Sequence, residues 1–577
     1  MISSKKIKNQ NILQIIAIVS GIIAINVLAQ FYFGRFDLTT EKRFSVSPAT
    51  EEIITNLDDY IYIKVYLEGD LPPNFKRLRN STQELLDEFR AYNKNVLYEF
   101  INPSENENKN ERFDFYKELA KEGLAYYNVP VETKDGFAQK TVFPSMSISY
   151  KSKVLPVNLL VSSKKVPTDD DLNNSVQNVE LNLVNAIRML SQEQIPTVVF
   201  TTGHGELDSY SSGDIAYELS QSYDVGQITL DSKLSSLMRR VTVDSTTTVM
   251  IPSYDMIIIA QPTKAFNTKE LFLIDQYIMH GGKVVWALDM VQAEMDSLRY
   301  ATSTLGMPID LNLNELLFKY GVRIQSNLVL NRNAMEIGTA EGTLKPWHFF
   351  PLAIPVKGHL ITENLNAVST RFANSIDTVG KGDYKRTVLL KTDKQSRIMP
   401  APALIDLVDI IYRGPNPALY NQPSQTLALL IEGKFTSIFK NRMIDPRIMA
   451  NKELFDIEYE SPNTSQLILS DGDIIKNQVM QTADGLVPYP LGYDRYSKKM
   501  YDNRKFALNA INYMLGDKAL IKLRNKQYKI RILNHEKITN ERLKWQMINT
   551  VLPIVIILLM GLIISIFKFQ KYAKIKK

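Results

Sequence analysis

The stretch Thr202-Gly203-His204-Gly205-Glu206 sets an imidazole and a carboxylate between glycines, directly after the buried-type apolar run 197–202. At the carboxyl end of a strand in an open α/β sheet, a His and a Glu can bind a ligand or move a proton, and the glycines let the backbone approach it closely. The simpler alternative is local: Gly203 and Gly205 make a tight turn while His204 and Glu206 bond its amides. Asp289 follows the apolar run 283–288, and Asp471 and Asp473 lie in a Gly-containing turn after 466–469. They share this position past a strand, with turn formation again the simpler reading. The candidate ligand-binding set is therefore Gly203, His204, Gly205, Glu206 and Asp289.

Other chemistry finds little support. The 577 residues include no cysteine, which removes thiol nucleophiles, redox pairs and Cys-ligated metals. No GxSxG elbow is present, and the five histidines, at 204, 280, 348, 359 and 535, show no HExxH or paired spacing, so neither a serine hydrolase nor a catalytic metal is expected. Glu432-Gly433-Lys434-Phe435 lacks the earlier glycine and the following Ser or Thr of a phosphate-binding loop, so the chain is not expected to hydrolyse ATP itself. The reading is of a non-enzymatic protein without cofactor or metal. A membrane-tethered hydrolase using His204 and Glu206 is a weaker alternative.

The elements that would hold these residues read as α/β units. After a Ser/Pro-rich start at 45–50 come a strand at 60–67, a helix carrying Leu78, Leu85, Leu86, Phe89 and Tyr92 on one face, a strand at 96–101 and a helix at 113–122 stopped by Gly123. Strands at 141–150 and 154–160 read as a hairpin whose first strand contains Pro144, and 176–190 as an amphipathic helix. The order β-α-β-α-β-β-α is that of a thioredoxin-like domain over 35–192. From 195 to 517, apolar strands at 197–202, 255–260, 283–288, 426–431 and 466–469 alternate with helices at 269–280, 314–320 and 504–515. This pattern predicts a flavodoxin- or amidotransferase-like parallel sheet covered on both faces, with an insertion at about 331–425 that is poor in periodicity.

Two uncharged runs, 12–33 and 548–567, are each about 30 Å or more as helices and long enough to cross a bilayer. Lysines flank both: Lys5, Lys6 and Lys8 in the tail 1–11, and five in the tail 568–577. The first run is expected to be a retained anchor, with signal cleavage near Val27-Leu28-Ala29 as the alternative. Both tails are assigned to the cytoplasm and 34–547 to the periplasmic side of a bacterial inner membrane; a cytoplasmic central region is the alternative, since the flanking charges nearly balance. The net charge of +6 sits in these flanks, because 35–517 holds 60 Asp+Glu against 51 Lys+Arg. The segment 518–547 is basic, and Lys522, Arg524, Lys526 and Lys529 are candidates for contact with membrane lipid or a membrane partner. No basic helix or aromatic-basic groove points to nucleic acid.

Several separate segments carry a family resemblance: Arg35-Phe36-Asp37-Leu38-Thr39, Lys42-Arg43-Phe44-Ser45-Val46-Ser47, the run 61–69, Thr201 to Glu206, Gly281-Gly282-Lys283 and the closing run 506–517. Together they resemble the gliding-motility-associated ABC transporter auxiliary family, GldG, of Bacteroidetes, over essentially the whole chain. The resemblance implies an inner-membrane accessory protein, often labelled substrate-binding, that works with a permease subunit and a separate ATPase subunit in gliding motility and, indirectly, protein secretion. It carries over no catalytic residue. A periplasmic module binding glycan or peptide at the His204/Glu206 end of the sheet is the alternative function.

Overall fold

The computed structural model describes residues 13, 15–24, 46–133, 136–160, 166–242, 248–298, 301–339, 341–407, 414, 416–442, 456–482, 485–524 and 535–573. Two compact units separate, Ser45–Lys526 and the pairing of Met1–Phe44 with Gln527–Lys577.

In the larger unit the chain starts with α1 (Pro48–Thr55), capped by Ser47, whose hydroxyl accepts from Thr50 N, with Pro48 supplying a helix-ready φ. Strand β1 (Ile61–Val65) alternates buried Ile61, Ile63 and Val65 with half-buried residues and so turns one face to the core. It is followed by α2 (Pro73–Tyr92), β2 (Val96–Phe100), α3 (Lys109–Lys121), β3 (Tyr127–Thr133), β4 (Gly136–Val142), β5 (Ser145–Tyr150) and β6 (Lys153–Asn158). Helix α4 (Asp169–Ser191) closes this half behind a capping box of Thr168 and Asp171. The four-stranded sheet runs β2-β1-β5-β6, parallel between β1 and β2 and antiparallel elsewhere. Residues 141–150, expected as one strand, are split. Pro144 has no N–H for a ladder, and the break there lets β4 pair with β3 in a separate hairpin while β5 joins the main sheet.

The second half is built on a mixed sheet. Strand β7 (Thr197–Thr202), helix α5 (Gly213–Ser220), β8 (Asp224–Thr229), β9 (Met256–Ala260), α6 (Thr268–Met279) and β10 (Lys283–Ala287) come first in the chain. The longer antiparallel strands that join the same sheet are β11 (Leu344–Pro355), β12 (Tyr384–Lys391) and β13 (Thr426–Gly433); β14 (Thr464–Leu469) is parallel again. From β11 the order across the ten-stranded sheet is β11-β12-β13-β14-β10-β9-β7-β8, with the short strands 334–338 and 368–369 both pairing antiparallel with β11. The five strands from β8 to β14 are mutually parallel, and those beyond are antiparallel. The sheet is thus mixed rather than parallel throughout, and the stretch expected as a pattern-poor insertion supplies four of its ten strands, 334–338, β11, 368–369 and β12. Antiparallel neighbours need no crossover helix, so this extension leaves no helical periodicity to read.

Successive residues of the central strands enter opposite cores. Val199, Ile257, Val284, Trp286 and Ile468 face α6, with Phe272 and Tyr277. Val198, Ile258, Val285 and Leu467 face α7 (Asn503–Leu515), with Phe506, Ala510 and Met514. Helix α7 ends at Gly516, whose φ of 91° is the left-handed cap that glycine accepts without strain.

The segment from 518 begins as a buried helix rather than a membrane flank. In α8 (Lys518–Arg524), Leu520 and Leu523 enter the core of the first half beside Val46, Ile54, Leu183 and Ile187. Helix α4 therefore receives both ends of the body: Glu180 accepts from Ser47 N (2.8 Å) and Thr50 Oγ1 (2.7 Å), and α8 packs on its apolar face. Arg188 of α4 gives Nη1 to both oxygens of Asp517 at 3.0 Å and Nη2 to Ser222 O at 2.8 Å, and Asp517 also accepts from Tyr223 Oη at 2.6 Å.

In the smaller unit, Ile15–Ala24 is a short apolar helix, and the rest of the expected span 12–33 apart from Leu13 lies outside the described residues. Helix α9 (His535–Ala573) contains Glu541–Gln570, within which an 18-residue stretch has mean hydropathy 2.9 and is 0% buried. By length and composition it is able to cross a membrane, and it extends several residues beyond the expected 548–567 at the N-terminal side.

Removing one partner of a buried ion pair strands the other charge. Asp517→Ala should therefore cost about 3–5 kcal/mol, measured by denaturant unfolding of the detergent-solubilised chain. A loss below about 1 kcal/mol, the range of exposed pairs, would contradict the junction described here.

Candidate functional site

The parallel strands β7, β9, β10 and β14 end side by side, and β7 is flanked by β8 on one side and β9 on the other, so the strand order reverses at this point. Crevices at such reversals, outside the strands' carboxyl ends, are where open α/β sheets bind ligands. The five ligand-binding candidates, Gly203, His204, Gly205, Glu206 and Asp289, all lie in the loops leaving these ends.

After β7, Gly203 and Gly205 have φ of 117° and 74°, and a Cβ on Gly205 would collide with Thr263 Oγ1. The turn thus requires glycine. Thr263 N and Lys264 N both donate to His204 O, at 2.8 and 2.9 Å, which ties the turn to the loop after β9. The His204 ring is 5% exposed and stacks on Phe266 with centroids 4.1 Å apart. Its Nε2 lies 3.0 Å from Glu270 Oε2, and its Nδ1 lies 3.7 Å from Glu206 Oε1, an ionic contact beyond hydrogen-bond length. Glu206 also accepts from His204 N at 2.6 Å and Thr201 Oγ1 at 3.1 Å. Glu270 is held by Asn267 N and Ser232 Oγ. The Glu206 carboxylate does most to raise the imidazole pKa; burial opposes it and Glu270 adds to the rise. Burial pushes Glu206 upward, but the imidazole and the turn amides outweigh it and hold its pKa low. The set is an imidazole clamped between two carboxylates. Glu206 bonds a turn amide, as the local alternative has it, whereas His204 reaches across to α6.

The second cluster follows β10 and β14. Asp289 Oδ1 accepts from Gly472 N at 2.7 Å and Oδ2 from Gln261 Nε2 at 2.6 Å; Gln261 Oε1 in turn accepts from Lys476 Nζ at 3.0 Å. Asp471, with no exposed surface, accepts from Arg371 N at 2.6 Å through Oδ2 and from Asp473 N at 2.8 Å through Oδ1. Burial, and then the charge of Asp473, pushes the Asp289 pKa up to about 6; the bonds from Gly472 and Gln261 work against it. Asp471 is raised well above the ordinary range, by burial first and then by Asp473 and Asp289. Among the described residues no group of three or more His, Cys, Asp or Glu side chains is arranged to hold a metal ion.

A cavity of about 450 Å³ lies beside this cluster, between the segment 473–479 after β14, the antiparallel extension and the segment 492–496, and neither Asp289 nor Asp471 lines it. Arg371, Asp473 and Lys476 line it, with Phe350, Tyr493 and Tyr496 as aromatic walls. Asp289 and Asp471 act as its supports. Arg371, Lys476 and the tyrosines were not selected from the sequence; the only signal there was Ser470-Asp471-Gly472-Asp473 after a buried strand, read as a turn.

The four basic candidates divide. Lys522 is exposed on α8. Arg524 turns inward, donating Nη1 to Asn509 Oδ1 at 3.1 Å, and burial lowers its pKa against the pull of Glu218 and Tyr223. Lys526 and Lys529 lie outside the described residues.

The chain thus holds a mixed α/β body with a charged cavity near its strand ends and an apolar helix long enough to span a bilayer. The family described as "ABC-type uncharacterized transport system", an ABC-transporter auxiliary family, matches residues 195–510, and the chain belongs to it. Its role is thereby an accessory one in an ABC transport system. A domain of unknown function matches residues 40–149. An uncharacterized protein of Borreliella burgdorferi is 21% identical over 498 residues, covering 83% of this chain and 90% of its own. Among solved structures, the mmIFT52 N-terminal domain aligns with a TM-score of 0.30 at 12% identity, covering 55% of this chain and 97% of that one.

The folded-state pKa of His204 lies above its ordinary 6.5 and that of Glu206 below its ordinary 4.5. The imidazole's contribution to stability is complete below the first value and is lost as pH rises through the raised pKa; the carboxylate's is present above the second and is lost as pH falls through the depressed one. His204→Asn should therefore lower the thermal midpoint most between pH 4.5 and 6.5, with the gap to wild type narrowing toward alkaline pH. A gap independent of pH would exclude the charged clamp.

Proposed function

We propose that the protein is a non-enzymatic, membrane-anchored accessory subunit that works with a permease and a separate ATPase, as the GldG resemblance implies, in gliding motility and indirectly in protein secretion. The observation that carries this reading is the family match over 195–510 in a chain that also holds the apolar helix Glu541–Gln570. The non-enzymatic part is supported by His204 and Glu206, which are engaged with each other and with Glu270 and so are not poised as a base. A thioredoxin-like first half is supported by the order β2-β1-β5-β6, and a flavodoxin-like second half by the parallel order β8-β7-β9-β10-β14. Two spans, 12–33 and α9, hold the body on the periplasmic side of the inner membrane. The approach of both body ends to α4 favours tethering at both.

Affinity purification from native membranes in mild detergent should recover a permease and an ATPase in fixed ratio; recovery of this chain alone would overturn the reading. Replacing Lys522, Lys526 and Lys529 with Gln, and leaving inward Arg524 intact, should lower that recovery several-fold without moving the thermal midpoint.

The absence of cysteine makes orientation directly measurable. Glu107, exposed in the loop before α3, replaced by Cys, should react in intact cells with a maleimide that enters the periplasm but does not cross the inner membrane. Labelling only after inner-membrane lysis would put the body in the cytoplasm.

A further inference from the structure

The cavity at the ends of β10 and β14 holds charges of both signs whose bonding capacity is incompletely used. One buried carboxylate sets this up. Because Asp471 takes the amides of Arg371 and Asp473 on its two oxygens, those residues, from loops about a hundred positions apart, are brought to one wall. Their side chains line the same cavity.

Arg371 rests over the Phe350 ring at 5.3 Å, and its nearest carboxylate, Asp494, is 4.0 Å away, beyond hydrogen-bond length. Asp494 is engaged elsewhere: Oδ2 accepts from Ser497 N and Oγ, at 2.9 and 2.6 Å, and Oδ1, the oxygen facing Arg371, accepts from Gln478 Nε2 at 3.4 Å. The guanidinium therefore keeps its fork of donors for a planar carboxylate. Lys476 spends one donor on Gln261 and retains two. No side-chain hydrogen bond to the Asp473 carboxylate is among those of the described residues, while its charge is felt by both Asp289 and Asp471.

We propose that this cavity binds a short peptide with free termini, its carboxylate on Arg371 and Lys476 and its ammonium on Asp473. A compact polyanion would meet Asp473, Asp494 and Glu336, which also line the cavity, and a polycation would meet Arg371 and Lys476. A dipolar ligand answers both signs at once. The volume of about 450 Å³ is in the range of small-molecule sites and leaves room beyond the two charged ends. Tyr493, stacked on Tyr489 at 5.3 Å, and Tyr496, which is 57% exposed, offer ring surface to the peptide's side chains. The inference goes beyond the accessory role and does not rest on it.

The test uses the full-length protein in detergent and a random tripeptide mixture with free termini, alongside the same mixture acetylated and amidated. The free mixture should raise the thermal midpoint and give saturable heat in titration calorimetry, and the capped mixture should do neither. Arg371→Gln and Asp473→Asn, which both keep the amide that Asp471 holds, should each weaken binding at least tenfold while leaving the ligand-free midpoint in place. Absence of binding by the free mixture, equal binding by the capped one, or wild-type affinity in a folded Asp473→Asn variant would each overturn the proposal.

Discussion

The pairing of Arg188 with Asp517 holds the two halves of the body together, and much of the remaining architecture follows from where it sits. Both side chains are largely excluded from water, at 6% and 14% exposure, so the pair tolerates separation poorly. It joins α4, the last helix of the first half, to the residue that follows the Gly516 cap of α7 in the second. From there the chain continues into α8, whose leucines enter the first core. The last helix of the first half thus gathers the beginning of the body, its end and the seam between its halves.

A similar economy governs the strand ends. Five parallel strands deliver their carboxyl ends to one side, where the loops expose amides that need acceptors. Three acids meet that need: Glu206 for the turn after β7, Asp289 for Gly472, and Asp471 for Arg371 and Asp473; Gln261 bridges the cluster, donating to Asp289 and accepting from Lys476 Nζ. Two of these carboxylates are raised in pKa because burial outweighs the bonds they accept. Their role is positional, and the groups left facing the cavity are those that surround them.

What could be read along the chain and what could not divide by the range of the interaction. The turn at His204 was legible because Gly203 and Gly205 follow a buried strand within a few residues. Its partner Glu270, 66 positions away, had no local signature, and it decides that His204 is clamped. Asp289 was legible as a residue past a strand, but its role as a support depends on Gly472 and Gln261. Arg371, Lys476 and Tyr493 were missed because they sit in stretches with no repeat of two or of 3.6, where a side chain's destination is set by loops alone. The basic segment from 518 was read by its charge as a membrane flank, whereas its first seven residues form α8, which buries Leu520, Ile521 and Leu523 and leaves Lys518 and Lys522 exposed.

The sequence by itself determined the apolar runs, the amphipathic helices, the glycine turns and the concentration of positive charge beside the membrane-compatible segments, because each is a property of neighbouring residues. Only the tertiary structure decided that the large sheet is mixed, that α4 receives both ends of the body, and that Arg371, Asp473 and Lys476 share one cavity. Those outcomes rest on contacts between residues from 31 to 329 positions apart, and hydrogen bonding across such separations leaves no periodicity in the chain to announce it.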